Sequence, residues 1–173
     1  MNRSPCIDKW KRLHGQRGII VIWLALLMPL LFGLMALAID VARFSLTMVQ
    51  VRNAAEASAL AGARKFALTG KPASATTYAS SFARRNYANG KKVPDSAITI
   101  EPGYCDLSNP AATWHTTTKS ATDAYAVRVT INLGTAFKYF IAPALGIANP
   151  NVQATAIAAQ QSSAVSDHAI LVQ

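Results

Sequence analysis

Residues 19–39 read IIVIWLALLMPLLFGLMALAI, an uninterrupted apolar run that contains no charged side chain. At about 1.5 Å of rise per residue, a helix over this run is about 31 Å long, which matches the hydrocarbon thickness of a bilayer. Pro29 lies inside the run and is expected to kink such a helix without ending it. The sequence therefore predicts a transmembrane helix over residues 19–39.

Basic side chains before this run predict its orientation. Residues 1–18 contain one acid, Asp8, and the following basic residues: Arg3, Lys9, Lys11, Arg12 and Arg17. Because positively charged flanks stay on the cytoplasmic side, we predict a cytoplasmic tail over residues 1–18 and an exported part from Asp40 onward. Arg43 and Arg52 follow the run but open a long domain, and long domains are exported largely regardless of charge.

Proteolytic processing gives two alternatives to an intact membrane anchor. The first is a cleaved secretory signal, because Ala36-Leu37-Ala38 is a small-x-small site. The apolar core of a signal is about 7 to 15 residues long, shorter than this run, so we favour an uncleaved helix. The second alternative is cleavage after Gly18 by a prepilin-type peptidase.

Composition and charge limit the function classes. The chain has 173 residues and a formal net charge of +9, and its exported part is the size of one small domain. The basic residues of that part are single or paired, and no aromatic stacking motif accompanies them. We therefore expect no nucleic-acid partner and interpret them as a solvated face, with lipid headgroups or a polysaccharide as the alternative ligand.

Two cysteines, Cys6 and Cys105, are predicted to lie on opposite sides of the membrane. They cannot then pair within one chain. Cys105 is expected to be a buried thiol or to bond to another chain, and we favour burial.

Residues 41–66 predict a stalk helix that continues the apolar one outward, because neither Pro nor Gly occurs before Gly62. Apolar or small residues recur on one face at the helical spacing: Phe44, Met48, Val51, Ala55, Ala59, Gly62 and Phe66. Since small side chains let another backbone approach closely, this stripe is a candidate interaction surface toward a sheet, another protein or a second copy in a homo-oligomer.

A second helix and then strands are expected beyond the stalk. Gly70-Lys71-Pro72 ends the stalk, and the second helix is predicted from about Ala73 to Ala88, with Asn89-Gly90 as its stop. Alternating residues then predict strands over 97–101, 125–133 and 152–158, with a weaker strand over 112–118.

The predicted fold class is α+β. We expect a transmembrane helix continuing into a stalk helix, a second helix, and a small, mostly antiparallel sheet of three to four strands. Pro102-Gly103 is interpreted as the turn that ends the first strand. The predicted divisions are 1–18 for the tail, 19–39 for the span, 40–90 for the helical part and 91–173 for a β-rich part that packs on the helices.

The connection GTAFKYFIAPALGIA, residues 134–148, is too apolar for an ordinary loop. It is interpreted as a short helix that covers one edge of the core. The alternative is a partner-docking or membrane-proximal patch. Under that alternative, Phe137, Phe140 and Leu145 are candidate interaction residues.

No catalytic chemistry is predicted. His14, His115 and His168 stand outside any metal-binding or nucleophile motif, and Cys105 with His115 is a weak nucleophile pair. Asp106 and Asp123 are interpreted as turn residues. We therefore predict no enzyme, no cofactor, no metal and no catalytic residue.

Sequence features over residues 17–66 resemble a known family. A Gly precedes the Pro-containing apolar run, Asp40 follows it, and NAAEASALAGA comes next at residues 53–63. Further likeness is found in Pro-Gly-Tyr-Cys-Asp at 102–106 and in the strands over 124–130 and 152–158. Together these resemble TadG-like (TadE/TadG-like) proteins of Flp, or tight-adherence (Tad), pilus assembly.

This resemblance implies a pilin-like, single-pass protein of the bacterial inner membrane. Its periplasmic domain would serve assembly, anchoring or initiation of a type IVc pilus used in adhesion, with other Tad proteins and the lipid bilayer as partners. Two departures matter. The chain stops at Gln173, before the von Willebrand A-type domain that many TadG-like proteins carry, and Trp23 stands where processed pilins carry Glu.

Two function classes follow from these observations. The first is a structural or assembly component of a Tad pilus, in a minor pilin-like or scaffold role. The second is a membrane-tethered module that binds a polysaccharide or another envelope ligand through its Lys and Arg pairs.

Overall fold

The computed structural model describes residues 6–108, 114–116, 119–120, 123–160 and 169–172, and it confirms the α+β class. Helix α1 covers Cys6–Thr69 and helix α2 covers Pro72–Ala83. The strands are β1 (Tyr87–Ala88), β2 (Lys91–Lys92), β3 (Ile98–Asp106), β4 (Trp114–His115), β5 (Asp123–Gly134), β6 (Val152–Gln160) and β7 (Ala169–Val172).

Strands β3 to β7 form one antiparallel sheet in the order β4-β3-β5-β6-β7, and β1 pairs with β2 in a separate hairpin. β5 is the central strand, and its register places Val129 opposite Ile100 on β3 and opposite Ala156 on β6. The antiparallel arrangement of the predicted strands is thus confirmed. β7 and the β1–β2 hairpin were not predicted.

Helix α1 continues without interruption from the apolar run into the sheet-bound part, and Pro29 lies within it. Within the described residues, it is the helix that is long and apolar enough to cross a membrane. The large side chains of its apolar run are exposed, as in Ile20, Leu27 and Phe32. Its second half is buried on one side only, so one helix carries two different surfaces.

The stripe of small residues on α1 packs on the inner face of the sheet. Val51, Ala55 and Ala59 are fully buried with Val127 and Val129 of β5 in one core cluster. At Gly62, an added Cβ would lie 3.0 Å from the Ala79 Cβ and 3.2 Å from a Val127 methyl carbon. The predicted close packing against a sheet is thus present, with α2 on the same side of the helix.

Gly70 ends α1 in the left-handed region, with φ of 64°, and its N–H donates to the Phe66 carbonyl at 2.8 Å. Pro72 then occupies the start of α2, where its missing N–H costs nothing. The buried side of α2 is formed by Ala75, Ala79 and Ala83. The predicted break between the two helices is confirmed.

The predicted end of the second helix is wrong. α2 ends at Ala83, and Asn89-Gly90 forms the turn between β1 and β2. Both residues have positive φ, 52° and 74°, as a two-residue hairpin turn with right-handed strand twist requires. Asn-Gly is a helix stop and also a strong hairpin signal, and the short strands on either side give no alternation that would distinguish the two.

The predicted turn at Pro102-Gly103 is also wrong, because β3 continues through both residues to Asp106. Pro102 lies opposite Val127 of β5. On the other side, β4 pairs only with Tyr104 and Cys105, so among the described residues no strand pairs with that edge at Pro102. A Pro without an N–H donor is tolerated at such an edge.

Gly103 allows Trp114 to lie against β3. A Cβ at this position would meet the His115 carbonyl oxygen at 2.5 Å and the Trp114 Nε1 at 2.8 Å. The Arg128 guanidinium carbon lies 3.9 Å from the centre of the Trp114 ring. The predicted strand over 112–118 is described only at Trp114–His115 and at residue 116, and residues 112, 113, 117 and 118 lie outside the described residues.

Replacing Ala59 by Leu tests the packing of the stripe. The added volume enters a fully buried contact with the sheet, and we expect a loss of about 1 to 3 kcal/mol in unfolding free energy. Ala57→Leu is the matched control, because Ala57 is exposed on the same helix and the two substitutions change helix propensity equally. Thermal melting of the detergent-solubilised protein measures both. Equal melting of the two variants would show that the stripe does not pack as described.

Candidate functional site

Asp40, the first residue after the apolar run, is completely buried. Its carboxylate accepts three backbone N–H groups from the connection between β5 and β6. Phe140 N donates to Oδ1 at 2.8 Å, and Ile141 N and Ala142 N donate to Oδ2 at 2.9 and 3.1 Å. We call this arrangement the Asp40 clamp. It joins parts of the chain that are about a hundred residues apart.

The clamp provides hydrogen-bond acceptors for N–H groups at the start of a short 3₁₀ helix, Ala142–Leu145, which has no side-chain cap of its own. The first N–H groups of a helix lack internal partners, and a carboxylate is a strong acceptor for them. Gly146 ends this helix with φ of 77°, and Ile147 N donates to the Ala142 carbonyl at 3.1 Å. The predicted short helix in this connection is therefore present.

Hydrogen bonding keeps Asp40 ionised despite its burial. Burial raises the pKa of a carboxyl group, but the three N–H donors and the nearby Arg43 charge lower the pKa of Asp40 to a net value below its ordinary one. The folded pKa thus lies below the unfolded pKa. The clamp therefore adds its stabilisation above the unfolded value, about pH 4, and loses it as the pH falls through the folded value.

Arg43 packs over the clamp. Its guanidinium carbon lies 4.8 Å from the centre of the Phe140 ring and 5.7 Å from that of Phe137, and its Nη2 donates to Asn89 Oδ1 at 3.5 Å. Its Nη1 is buried and has no hydrogen-bond acceptor among the described residues. The basic residues of the exported part are predicted to form a solvated face, whereas Arg43 joins α1, the connection and the β1–β2 hairpin.

Aromatic rings surround this end of the core. Phe44 lies 5.9 Å from Phe137 and 6.2 Å from Tyr139, measured between ring centroids, and Phe137 lies 5.5 Å from Tyr139. Such edge-to-face contacts favour a fixed arrangement of the rings. Tyr139 N also donates to Asn149 Oδ1 at 3.0 Å, so both ends of the connection are held.

The candidate interaction residues fall into two groups. The first group lies within the fold, where Phe44 and Met48 are half-buried and the others are buried: Phe44, Met48, Val51, Ala55, Ala59, Gly62 and Phe137. The second group, Phe140 and Leu145, is exposed. Buried side chains have little surface left for another molecule, so the exposed pair is the part of the predicted surface that remains available.

A second exposed surface lies on α1 beyond the apolar run. Leu46 and Val49 are 59% and 54% exposed, and Leu60 is partly exposed further along. The residues between them on this side include Asn53 and Ala57, both exposed. This face is not among the predicted interaction surfaces, although its spacing of 46, 49, 53, 57 and 60 is helical.

Cys105 is a buried, free thiol, as favoured from the sequence. Burial, and then the carboxylates of Asp106 and Asp123, raise the pKa of this thiol above its ordinary value. A thiol of raised pKa is a poor nucleophile. His115 Nε2 lies 3.5 Å from Asp123 Oδ2, and its register partner on β3 is Tyr104, not Cys105.

Both predicted turn aspartates lie at turns. Asp106 Oδ1 accepts the Ser108 N–H at 3.0 Å, and Asp123 Oδ2 accepts the Ser120 N–H at 2.7 Å at the start of β5. Within the described residues, no group of three or more His, Cys, Asp or Glu side chains is arranged to hold a metal ion. His168 lies outside the described residues.

A cavity of about 350 Å³ lies between the β1–β2 hairpin and the end of β5. Its polar lining includes Asn89, Lys91, Lys92 and Asn132, and its apolar floor includes Phe137. Two cationic side chains thus line the cavity.

The chain therefore belongs to the class of α+β domains built on the continuation of a long apolar helix. Family comparison gives the particular family. Residues 50–158 match the Tad_C family, Tad-like Flp pilus-assembly, and residues 18–65 match the Tad family, Flp pilus-assembly TadE/G-like. The chain belongs to the Tad-like Flp pilus-assembly family, and the resemblance predicted from its sequence is confirmed.

Both family descriptions name pilus assembly and neither names an enzyme, in agreement with the predicted class of function. Comparison with curated proteins and with solved structures gave no match. The two matched segments overlap at residues 50–65 and together extend from the apolar run into β6.

Replacing Asp40 by Asn tests the clamp. The side chain keeps its size but loses its charge, and its amide NH₂ group would face N–H donors. We expect hydrogen exchange at the amides of Phe140, Ile141 and Ala142 to accelerate about tenfold or more. Acidification of the parent protein through the folded pKa of Asp40, which lies below the ordinary value, should reproduce the effect, since protonation also removes the charge. Unchanged exchange at these amides in the variant would contradict the assigned role of Asp40.

Proposed function

We propose that this protein is a single-pass inner-membrane component of Flp (Tad) pilus assembly that acts by binding other Tad proteins, in a minor pilin-like or scaffold role. One observation carries the proposal. A single helix, α1, runs from the exposed apolar run into the core of a domain whose sequence matches a pilus-assembly family. Anchor and domain are thus one continuous element, which suits a protein that presents its domain at a membrane surface.

The proposed topology has the N-terminus in the cytoplasm and the domain in the periplasm. Support comes from the basic residues of the tail, Arg3 to Arg17, and from the length of the apolar run. We further propose that the helix is not cleaved. A break after Ala38 would separate the apolar run from the domain, and a break after Gly18 would remove the basic tail.

Alkaline phosphatase fused after Gln173 tests this topology. The enzyme folds only when exported, so an active fusion is expected. Mass spectrometry of the purified protein should also recover the peptide that contains Cys6. An inactive fusion, or an N-terminus at Ile19 or Ile39, would contradict the proposal.

The proposed surface for Tad partners is the exposed face of α1 around Leu46 and Val49. These apolar side chains lie about two to three helical turns past the end of the apolar run, and Ala42, which is also exposed, leaves space for another helix to approach. The proposed partner is therefore an apolar helix of another Tad component, or the same helix of a second copy. Well-packed apolar contacts of this kind carry most of the binding energy of an interface.

Replacing both Leu46 and Val49 by Gln tests this surface. We expect weaker co-purification with Tad components and fewer surface pili, at a level close to that of a deletion strain. Leu68→Gln is the matched control, because Leu68 is 72% exposed on the same helix but lies about 30 Å further from the apolar run. If the double variant assembles pili as the control does, this face does not bind the machinery.

The cavity beside Lys91 and Lys92 favours a second candidate function. The Arg84-Arg85 pair is occupied within the fold, since Arg84 binds Asp95 at 2.5 Å and Arg85 lies over the Phe82 ring. The Lys91-Lys92 pair instead faces a cavity with room for a small anionic group. A membrane-tethered module that binds an anionic envelope polysaccharide is therefore the alternative, and normal piliation in a deletion strain would favour it.

A further inference from the structure

An exposed apolar segment lies directly beside the end of the apolar run. Between Phe140 and Ala148, every residue except Ala142 is exposed. The exposed fraction is 75% for Phe140, 63% for Leu145 and 46% for Ile147. Residues 139–150 contain no charged side chain at all. So large an apolar surface is unusual on a domain that faces only water.

The Asp40 clamp fixes the level of this segment along α1. Asp40 immediately follows the apolar run, and it binds the backbone N–H groups of Phe140, Ile141 and Ala142 directly. These backbone atoms therefore lie within one helical turn of the end of the run. If the run fills the hydrocarbon layer, the segment lies where hydrocarbon gives way to headgroups.

The residues on either side of the segment also suit a position at the membrane interface. On α1, Ile39 and Val41 are exposed apolar residues that continue the run past Asp40. Lys138, two residues before Phe140, is exposed, and Lys91-Lys92 lies on the hairpin whose Asn89 contacts Arg43. An apolar segment flanked by cationic side chains is the usual composition of a protein surface that lies in a membrane interface.

We propose that the segment Phe140–Ile147 is a membrane-interface segment, which inserts Phe140, Leu145 and Ile147 among the lipids of the outer leaflet of the membrane that α1 spans. This proposal rests on the proposed single-pass topology. The segment adds a second contact with the bilayer beside the transmembrane helix. Together, these two contacts fix the orientation of the domain relative to the membrane. The occupant of the exposed surface is lipid, and a protein partner is the competing outcome.

Fluorescence quenching in vesicles tests the proposal on the full-length chain. Cys6→Ser leaves the buried Cys105 as the remaining natural thiol, and Leu145→Cys then accepts an environment-sensitive NBD probe. The vesicles contain phosphatidylethanolamine, phosphatidylglycerol and a lipid with a doxyl quencher near the top of its acyl chain. Ile147→Cys provides a second labelling site if the first variant folds poorly.

Two control sites on α1 distinguish a failure of the interface segment from a failure of the proposed topology. Leu34→Cys reports on the span itself, and Leu68→Cys reports on an exposed site about 42 Å along the helix from Asp40. We expect the Leu145 and Leu34 probes to be blue-shifted and quenched to a similar extent, and the Leu68 probe to be neither.

Three results would overturn the proposal. Quenching at Leu34 without quenching at Leu145 and Ile147 would reject the interface segment while leaving the span intact. A lack of quenching at Leu34 would reject the topology, and the inference with it. Protection of the Leu145 probe from aqueous iodide that appears only when Tad components are added would assign the surface to a protein partner.

Discussion

The buried carboxylate of Asp40 is the interaction on which the arrangement of this protein depends. Its three backbone N–H donors hold the connection between β5 and β6 at the point where the apolar run of α1 ends. A buried carboxylate without hydrogen-bond donors would be strongly destabilising. Displacing the connection removes the three donors of Asp40 and therefore costs free energy of folding. The Arg43 guanidinium group packs against the Phe137 ring beside the same site. The sheet-bound domain is thereby fixed to a defined level of the helix.

Close backbone packing is the second constraint. α1 has one surface for the sheet and another for its surroundings, and the sheet side is built from small residues. Gly62 has Ala79 on α2 and Val127 on β5 within 3.2 Å of where a Cβ would stand, so three elements meet at one position. Larger residues there would separate the helix from the sheet. Because the sheet side is filled by the chain itself, the opposite face of α1 is the part of this helix that stays exposed.

Periodicity predicted most of the fold, since apolar stripes and alternating strands report local structure directly. Its errors occur where two local structures share one signal. Asn89-Gly90 suits a helix end or a hairpin turn, and Pro102-Gly103 suits a turn or a strand edge that must admit the Trp114 ring. The clamp could not be derived from the sequence, because its partners are about a hundred residues apart. A lone acid at the end of an apolar run was its only local signal.

The most direct test of the clamp is a distance measurement between spin labels at Leu34, in the apolar run, and Leu145, in the connection. Pulsed electron–electron double resonance on the membrane-reconstituted protein should give one narrow distance distribution, because a buried charge-assisted contact holds the two parts together. Asp40→Asn should broaden that distribution markedly. A broad distribution in the parent protein, or an equally narrow one in the variant, would contradict the claim that Asp40 fixes the domain to the end of the apolar run.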